Sequence, residues 1–161
     1  MEFILVDEQG KEQFYSILEK LKNDNLENAN VLSKSYTDYV GDGWHDNPIY
    51  EEAMRKNRMI DESINKMLQQ EKLLKIVSDK YNDKCVNIND IVEVEFIYSD
   101  DDKEIEKLKL TGKFIPDTDL EIKEVTLNSP VGKAIYKKKI GECSSYTVLD
   151  REVKIRIIGR G

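Results

Sequence analysis

Apolar residues recur at three- and four-residue steps through the first half of the chain, with charged and amide side chains between them. Between residue 8 and about residue 39 the repeating positions are Phe14, Ile17, Leu18, Leu21, Leu26, Leu32, Tyr36 and Tyr39. Between residue 48 and about residue 77 they are Ile49, Ala53, Ile60, Ile64, Met67, Leu68, Leu74 and Val77. These steps place side chains on one face of a helix, so the pattern predicts two long amphipathic helices.

A turn separates the two helical patterns. Gly41 and Gly43 allow backbone angles that other residues avoid, and Asn47 can cap a helix whose first residue is Pro48. The apolar stripes are narrow, as in a helix that packs against one partner helix. The sequence therefore predicts that residues 1–79 form an N-terminal antiparallel two-helix coiled coil with an acidic tip near residues 41–47.

The second half of the chain follows a period of two instead. Residues 91–98 alternate between two faces, and further strands are predicted at 105–114, 120–127, 145–148 and 153–158. Ser129 followed by Pro130 is typical of a capped helix start and predicts a short helix over 130–136. We therefore expect an α+β protein in which residues 80–161 form a small antiparallel sheet with one short helix, joined to the first half near residues 78–83.

Composition narrows the function. The formal net charge of −7 and the isoelectric point of about 4.9 argue against independent binding to duplex nucleic acid, which needs an excess of cations. Cys85 and Cys143 are too few for a disulfide framework and are expected to be buried free thiols. No signal-like or membrane-spanning stretch is found, so a cytoplasmic protein that does not bind membranes is expected.

Candidate catalytic chemistry is sparse. The chain has a single histidine, His45, and neither a glycine-rich phosphate loop nor a nucleophile elbow, which disfavours a self-contained enzyme. Asp42 and Asp46 instead lie at the predicted tip. Two carboxylates on a turn hold Mg²⁺ only weakly, because that ion needs several oxygen ligands, so a partner would have to supply the others. Ordinary turn chemistry is the alternative explanation for both acids.

Two segments resemble the bacterial Gre family of transcript cleavage factors, and the similarity extends along nearly the whole chain. Residues 127–142, Leu-Asn-Ser-Pro-Val-Gly-Lys-Ala-Ile-Tyr-Lys-Lys-Lys-Ile-Gly-Glu, are similar to the Ser-Pro-x-Gly-x-Ala element of the family's C-terminal domain. Residues 41–50, Gly-Asp-Gly-Trp-His-Asp-Asn-Pro-Ile-Tyr, are similar to the family's acidic segment between two coiled-coil helices.

The resemblance implies a function at RNA polymerase. The coiled coil would enter the secondary channel, and an FKBP-like C-terminal domain would dock at the channel rim. Asp42 and Asp46 match the two family acids that help hold the second Mg²⁺ of the polymerase, so this metal is shared and not bound stably by the factor alone. The implied protein is a monomeric cofactor that stimulates the polymerase's own nuclease on a backtracked transcript and is not itself an enzyme.

The resemblance also assigns contacts. Ser129 and Pro130 match the element that contacts the channel rim, although a plain helix cap explains them equally well. Trp44 could contact polymerase or pack at the hairpin end. Arg55 and Arg58 could contact the transcript 3′ end and other nucleic acid in the elongation complex, or could be solvated charges paired with nearby glutamates.

The tip departs from the family pattern. It carries one more residue between its acids, has Asp46 where the family has glutamate, and places Gly43, Trp44 and His45 where the family has Leu-Ser. An alternative is therefore a channel-binding regulator or inhibitor without cleavage activity. Outside this class, the alternatives are a coiled-coil and FKBP-like interaction module and a folding helper with prolyl isomerase activity.

Overall fold

The computed structural model describes residues 2–37, 47–78, 81–99, 102–149 and 151–161. The elements in this part of the chain follow the predicted order of helices and then strands, with a short additional strand at the start. They are β1 (Ile4–Val6), α1 (Glu8–Thr37), α2 (Pro48–Glu71), β2 (Leu74–Ile76), β3 (Ile91–Ile97), β4 (Lys103–Thr111), β5 (Lys123–Thr126), α3 (Pro130–Ile135), β6 (Cys143–Val148) and β7 (Arg151–Arg160).

Helices α1 and α2 pack against each other in antiparallel orientation. Asn47 at the start of α2 bonds the Ser35 carbonyl near the end of α1, whereas Asn25 in the middle of α1 bonds Asp61 farther along α2. Residues near the end of α1 therefore contact the start of α2, and earlier residues of α1 contact later residues of α2. This order of contacts defines an antiparallel pair. The predicted two-helix hairpin is confirmed.

The seam between the helices is a regular heptad pattern. On each helix, every third or fourth residue faces the partner helix, and none of these residues is exposed. On α1 they are Phe14, Leu18, Leu21, Asn25, Asn28, Leu32 and Ser35, and on α2 they are Tyr50, Ala53, Asn57, Ile60, Ile64, Met67 and Glu71. Leu26 and Ile49, which the apolar pattern placed in the seam, are each 66% exposed. Asn25 and Tyr50 take the seam positions beside them.

The predicted C-terminal end of the second helix is wrong. Helix α2 ends at Glu71, and the Leu73 amide donates to the Gln70 carbonyl in the turn that follows. Leu74–Ile76 then forms β2, which pairs in parallel with β1. Apolar side chains at Leu74 and Val77 fit both a helical step of three and a short strand, which is why the sequence pattern did not separate the two.

A five-stranded sheet forms the second half of the chain, in the order β5-β4-β3-β7-β6. Strand β3 pairs with β4 and with β7, and β7 pairs with β6, all in antiparallel orientation as predicted. Strand β5 instead runs parallel to β4, because residues 112–122 return the chain to the other end of the sheet before β5 begins. Val92, Val94 and Phe96 of β3 are buried while the alternate positions are half-buried, which confirms the predicted faces of that strand. Helix α3 supplies Ala134 and Ile135 to the same core.

Two compact units divide the chain, one comprising Met1–Gln13 with Leu74–Gly161 and the other Phe14–Leu73. Within the first unit, the Asn128 side chain holds β1 through both backbone groups of Leu5, at 2.7 and 2.8 Å. The Gln13 side chain likewise binds both backbone groups of Ile115, at 2.9 and 3.2 Å. The predicted division into a domain of residues 1–79 and a domain of residues 80–161 stays a prediction.

The cysteines are not both buried, so that prediction is wrong. Cys143 is exposed because it is the first residue of β6, the strand at one edge of the sheet, and Cys85 is half-buried.

Within the described ranges, every helix is too short or too polar to pass through a lipid bilayer.

A buried carboxylate ties β5 to its neighbours. The Glu124 side chain is fully buried, and it accepts hydrogen bonds from Lys109, Lys113 and the Asp117 amide at 3.0 to 3.2 Å. Burial raises the pKa of Glu124, but the amide and the two ammonium groups outweigh this effect and lower it to about 2. The ionised carboxylate therefore stabilises the fold.

We expect Glu124→Gln to destabilise the protein at neutral pH and to make its free energy of unfolding less dependent on pH in the acidic range. Because the folded pKa lies below the unfolded one, the contribution of Glu124 is complete above about pH 5 and is lost as the pH falls towards 2. Its size at pH 7 is roughly 3 kcal/mol. Urea unfolding of both proteins between pH 7 and pH 2.5 should show their difference shrinking on acidification; a constant difference would contradict this role.

Candidate functional site

The residues that the resemblance assigned to the tip lie outside the described residues. These are Asp42, Trp44, His45 and Asp46. Among the residues that the structure does describe, no group of three or more histidine, cysteine, aspartate and glutamate side chains could hold a metal ion. The magnesium role of Asp42 and Asp46 therefore stays a prediction.

The structure does describe the helix ends from which this segment departs. Asn47 caps α2, as predicted: its Oδ1 accepts from the Tyr50 amide at 3.0 Å, and Pro48 takes the first helical position. Its Nδ2 donates to the Ser35 carbonyl at 2.8 Å, and the residue is only 2% exposed. The Tyr36 and Tyr50 rings pack nearby with centroids 6.0 Å apart. Residues 38–46 are thus connected to two helix ends that are fixed to each other.

Arg55 and Arg58 lie on the outer face of α2, and both are exposed. Together with Tyr50, Glu51, Met54 and Met59 they line a shallow groove of about 460 Å³. The Arg55 guanidinium contacts the Glu52 carboxylate one helical turn away, as the alternative explanation expected. The groove combines cationic groups with apolar and aromatic surface, which is the chemistry that phosphates and unpaired bases require. The RNA contact of Arg55 and Arg58 stays a prediction.

The Ser-Pro element joins β5 to α3, and most of its residues have internal roles. Leu127 is buried in the core, and Asn128 holds β1. The Ser129 hydroxyl accepts from the Gly132 amide at 3.0 Å and donates to the Thr126 carbonyl at 2.7 Å, so the predicted cap is confirmed. Pro130 occupies the first position of α3 and is exposed. Pro130 is therefore the member of this pair that presents free surface to a partner.

Gly132 explains why the element needs a glycine. A Cβ atom built at this position would lie 1.9 Å from the Thr126 carbonyl oxygen and 2.9 Å from its carbon. Helix α3 packs so closely on the end of β5 that no side chain fits between them. The spacing of Ser129, Pro130 and Gly132 therefore fixes the position of the exposed proline relative to the sheet.

The apolar pattern missed a group of asparagines in the hairpin. Asn28 is 4% exposed, and its Nδ2 donates to the Ala53 carbonyl at 2.8 Å and contacts Asn57 Oδ1 at 3.4 Å. Asn25 and Asn57 both donate to Asp61, at 2.9 and 3.0 Å. The heptad spacing of these asparagines with the neighbouring leucines was the signal in the sequence, but a search for apolar residues alone does not detect it.

Comparison with known proteins gives one match to a protein family. Residues 81–159 match the family described as transcription elongation factor, GreA/GreB, C-terminal. No curated protein matches the chain. The matched range contains β3, β4, β5, α3, β6 and all but the last residue of β7, and it includes the Ser-Pro element.

Similar solved structures include a transcription factor Gfh1, 16% identical with a TM-score of 0.46, each chain covered over 99% of its length. Gfh1, the GreA factor homolog 1 of Thermus thermophilus, is 16% identical over 99% of both chains with a TM-score of 0.42. A GreA/GreB elongation factor from Nitrosomonas europaea is 15% identical over 98% of both chains with a TM-score of 0.37.

These TM-scores are too low to transfer individual residues, so the assignment rests on residues 81–159. That range includes the Ser129 cap, the close approach at Gly132 and the mostly antiparallel sheet. Residues 81–159 are therefore a C-terminal domain of the kind found in the GreA/GreB transcription elongation factors.

Proposed function

We propose that this protein binds RNA polymerase through the secondary channel and stimulates cleavage of backtracked transcripts. The observation that carries the proposal is the GreA/GreB C-terminal domain at residues 81–159 in a chain that also contains an antiparallel helical hairpin with an acidic connecting segment. A docking domain and a narrow two-helix element are the two parts that delivery of carboxylates into a channel requires.

In this proposal the hairpin acts by placement. Asp42 and Asp46 lie in the segment between Thr37 and Asn47, and the Asn47 contact with Ser35 joins the two ends of that segment. Holding a charged group ready at a reaction centre avoids the entropy cost of positioning it during the reaction. The factor would contribute two carboxylates, and polymerase would contribute the remaining ligands and the transcript.

The metal concerned is the second Mg²⁺ of polymerase. When bound, such an ion supplies an activated water and stabilises developing charge during phosphodiester hydrolysis. Asp42 and Asp46 would hold this ion jointly with polymerase, since two carboxylates are too few to bind it stably alone. Arg55 and Arg58 on the outer face of α2 would lie along the extruded transcript and attract its phosphates.

Docking is proposed to depend on the exposed Pro130. We expect Pro130→Asp to weaken polymerase binding by about tenfold or more, because a charge would be buried at the centre of the contact. The fold should tolerate this change, since an acidic side chain is favourable in the first turn of a helix. Polymerase affinity is measured with labelled factor and core enzyme.

Leu149→Asp is the matched control. Leu149 is 92% exposed and lies at the opposite end of the sheet, where β6 turns into β7, so the variant adds the same charge away from the proposed contact. Its affinity should stay within about twofold of the unmodified protein, the range of a rim position. Undiminished binding by Pro130→Asp, with the fold intact, would remove this residue from the docking surface.

A regulator that occupies the channel without stimulating cleavage is the second candidate. The specific observation in its favour is the spacing of the acids: Gly43, Trp44 and His45 separate Asp42 from Asp46, one residue more than in the family segment that this stretch resembles. Metal coordination tolerates little error in ligand position. Competition with an authentic Gre factor combined with no transcript shortening would favour this candidate.

A further inference from the structure

Two tyrosines lie on the inner face of the larger sheet, the face that α3 covers in part. Tyr98 follows β3 and stacks on Phe96, with ring centroids 6.3 Å apart. Phe96 is paired with Ile155 of β7, and Val153, two residues earlier on the same face, is paired with Tyr146 of β6. Tyr98 is 47% exposed and Tyr146 is half-buried, whereas the two residues between them are buried. We call Phe96, Tyr98, Tyr146 and Val153 the tyrosine surface.

Carboxylates line the β4 side of the tyrosine surface. Glu104 is paired with Phe96, and its carboxylate lies 3.5 Å from the Tyr98 hydroxyl. Glu106 is two residues farther along the same face of β4, and the Asp102 carbonyl accepts from the Tyr98 amide. Burial raises the pKa of Tyr98, and the carboxylates of Glu104, Glu106 and Asp102 raise it further. The Tyr98 side chain therefore lies in the negative field of three acids.

Two of these acids have no cation of their own. Lys123 bonds the Glu106 carboxylate at 2.7 Å and compensates that charge. Among the described residues, Asp102 and Glu104 form no ion pair with lysine or arginine. Arg151 is exposed at the far end of this face, where β7 begins. An exposed aromatic ring bordered by uncompensated carboxylates attracts a lysine or arginine side chain, because the ring face and the carboxylates are both negative.

Helix α3 connects the tyrosine surface to the proposed docking residue. The Ser144 hydroxyl donates to the Ala134 carbonyl at 2.6 Å, and Ser144 lies on the same face of β6 as Tyr146, two residues away. Pro130 begins the same six-residue helix. Six helical residues span about 9 Å, a short distance within the roughly 800 Å² that each partner buries in a standard interface. A partner that docks on Pro130 would therefore also reach the tyrosine surface.

We propose that the tyrosine surface and its acids bind a lysine or arginine side chain of RNA polymerase, as a second docking contact beside Pro130. The identity of this partner rests on the proposed function. Glu104 and Asp102 pair with the cation, and the Tyr98 ring covers its apolar stem. Because this contact lies in the C-terminal unit and not in the segment that carries the acids of the tip, it affects the affinity for polymerase and not the rate of cleavage once the factor is bound.

The first test reverses one charge. Glu104→Arg should weaken binding to core RNA polymerase by about tenfold or more, because a repulsive contact replaces an attractive one. Binding of the unmodified protein should weaken as the salt concentration rises, and Glu104→Arg should show a smaller salt dependence. The matched control is Glu152→Arg. Glu152 is exposed and precedes Val153, so it lies on the opposite face of β7, and its variant should bind within about twofold of the unmodified protein.

The second test separates the aromatic ring from its apolar bulk. Tyr98→Phe keeps the ring and should bind polymerase within about twofold of the unmodified protein, whereas Tyr98→Leu should bind about fivefold more weakly. Urea unfolding checks that each variant is folded. Should Glu104→Arg not fold, Glu104→Gln removes the charge without adding another, and about threefold weaker binding is expected.

Affinity of Glu104→Arg equal to that of the unmodified protein, or an equal loss in Glu152→Arg, would overturn this inference and leave the proposed function standing. Transcript cleavage is measured in parallel at saturating factor, where Glu104→Arg should match the rate of the unmodified protein. An unmodified protein that binds polymerase without shortening backtracked transcripts would contradict the proposed cleavage function, and the affinities of the variants would still decide whether the tyrosine surface is a docking contact.

Discussion

Replacing Asp42 and Asp46 with asparagine is expected to lower stimulated transcript cleavage by about 10²–10³-fold, the range for losing a preorganised electrostatic group at a reaction centre. Asparagine keeps the size of the side chain and removes its charge, and a neutral amide is a poorer ligand for Mg²⁺ than a carboxylate. Polymerase binding should be nearly unchanged, because Pro130, the proposed docking residue, lies in α3 and not in the segment that carries the two acids. Cleavage is measured on a stalled, backtracked elongation complex, and binding is measured on the same preparation.

Glu27→Gln/Glu62→Gln is the matched control for this variant. Both glutamates are exposed on the hairpin, so the double change removes the same two charges without touching the connecting segment. It should leave cleavage within about twofold of the unmodified protein, since exposed charges at a distance are screened. Unchanged cleavage in Asp42→Asn/Asp46→Asn would contradict the proposed role of these acids in cleavage.

The second large effect is expected at Gly132. A methyl group there would lie 1.9 Å from the Thr126 carbonyl oxygen, and that atom belongs to the backbone of β5 and cannot rotate away. Gly132→Ala should therefore destabilise the protein by about 3 kcal/mol or more, at or beyond the upper end of ordinary overpacking. The melting temperature of the C-terminal unit should fall by roughly 10 °C or more.

Gly159→Ala provides the comparison. A Cβ atom at Gly159 meets nothing within 4 Å, and no left-handed backbone angle is required there. This variant should be within about 0.5 kcal/mol of the unmodified protein, as expected for a surface change. Equal stability of the two variants in urea unfolding would show that α3 does not pack on β5 as closely as the structure indicates. A displaced α3 should also weaken polymerase binding, because Pro130 moves with it.

Much of the fold was predictable because local chemistry decides it. Asn47 and Ser129 cap their helices as their sequence neighbours predict, and the period of two in β3 gives its buried face. The parallel position of β5 was not predictable, because four residues, Lys123–Thr126, contain no sign of strand direction. Strand β1 and the early end of α2 depend on each other across the chain, and such pairing leaves no local pattern.

The candidate site was less predictable from the residues alone. Hydrophobic periodicity placed Leu26 in the seam, whereas the structure places Asn25 and Asn28 there, because polar side chains that bond across the seam can replace apolar ones. The Ser-Pro element was recognisable from resemblance, but its division into internal residues and the exposed Pro130 required the structure. The roles of Asp42, Trp44 and Asp46 stay predictions.

The most direct test of the central claim adds the purified protein to a backtracked elongation complex containing a labelled transcript and Mg²⁺. The proposed function predicts rapid release of short 3′ fragments, dependent on Asp42 and Asp46, with the shortened transcript able to resume elongation. Release no faster than that of polymerase alone, under conditions in which the protein is bound, would contradict it.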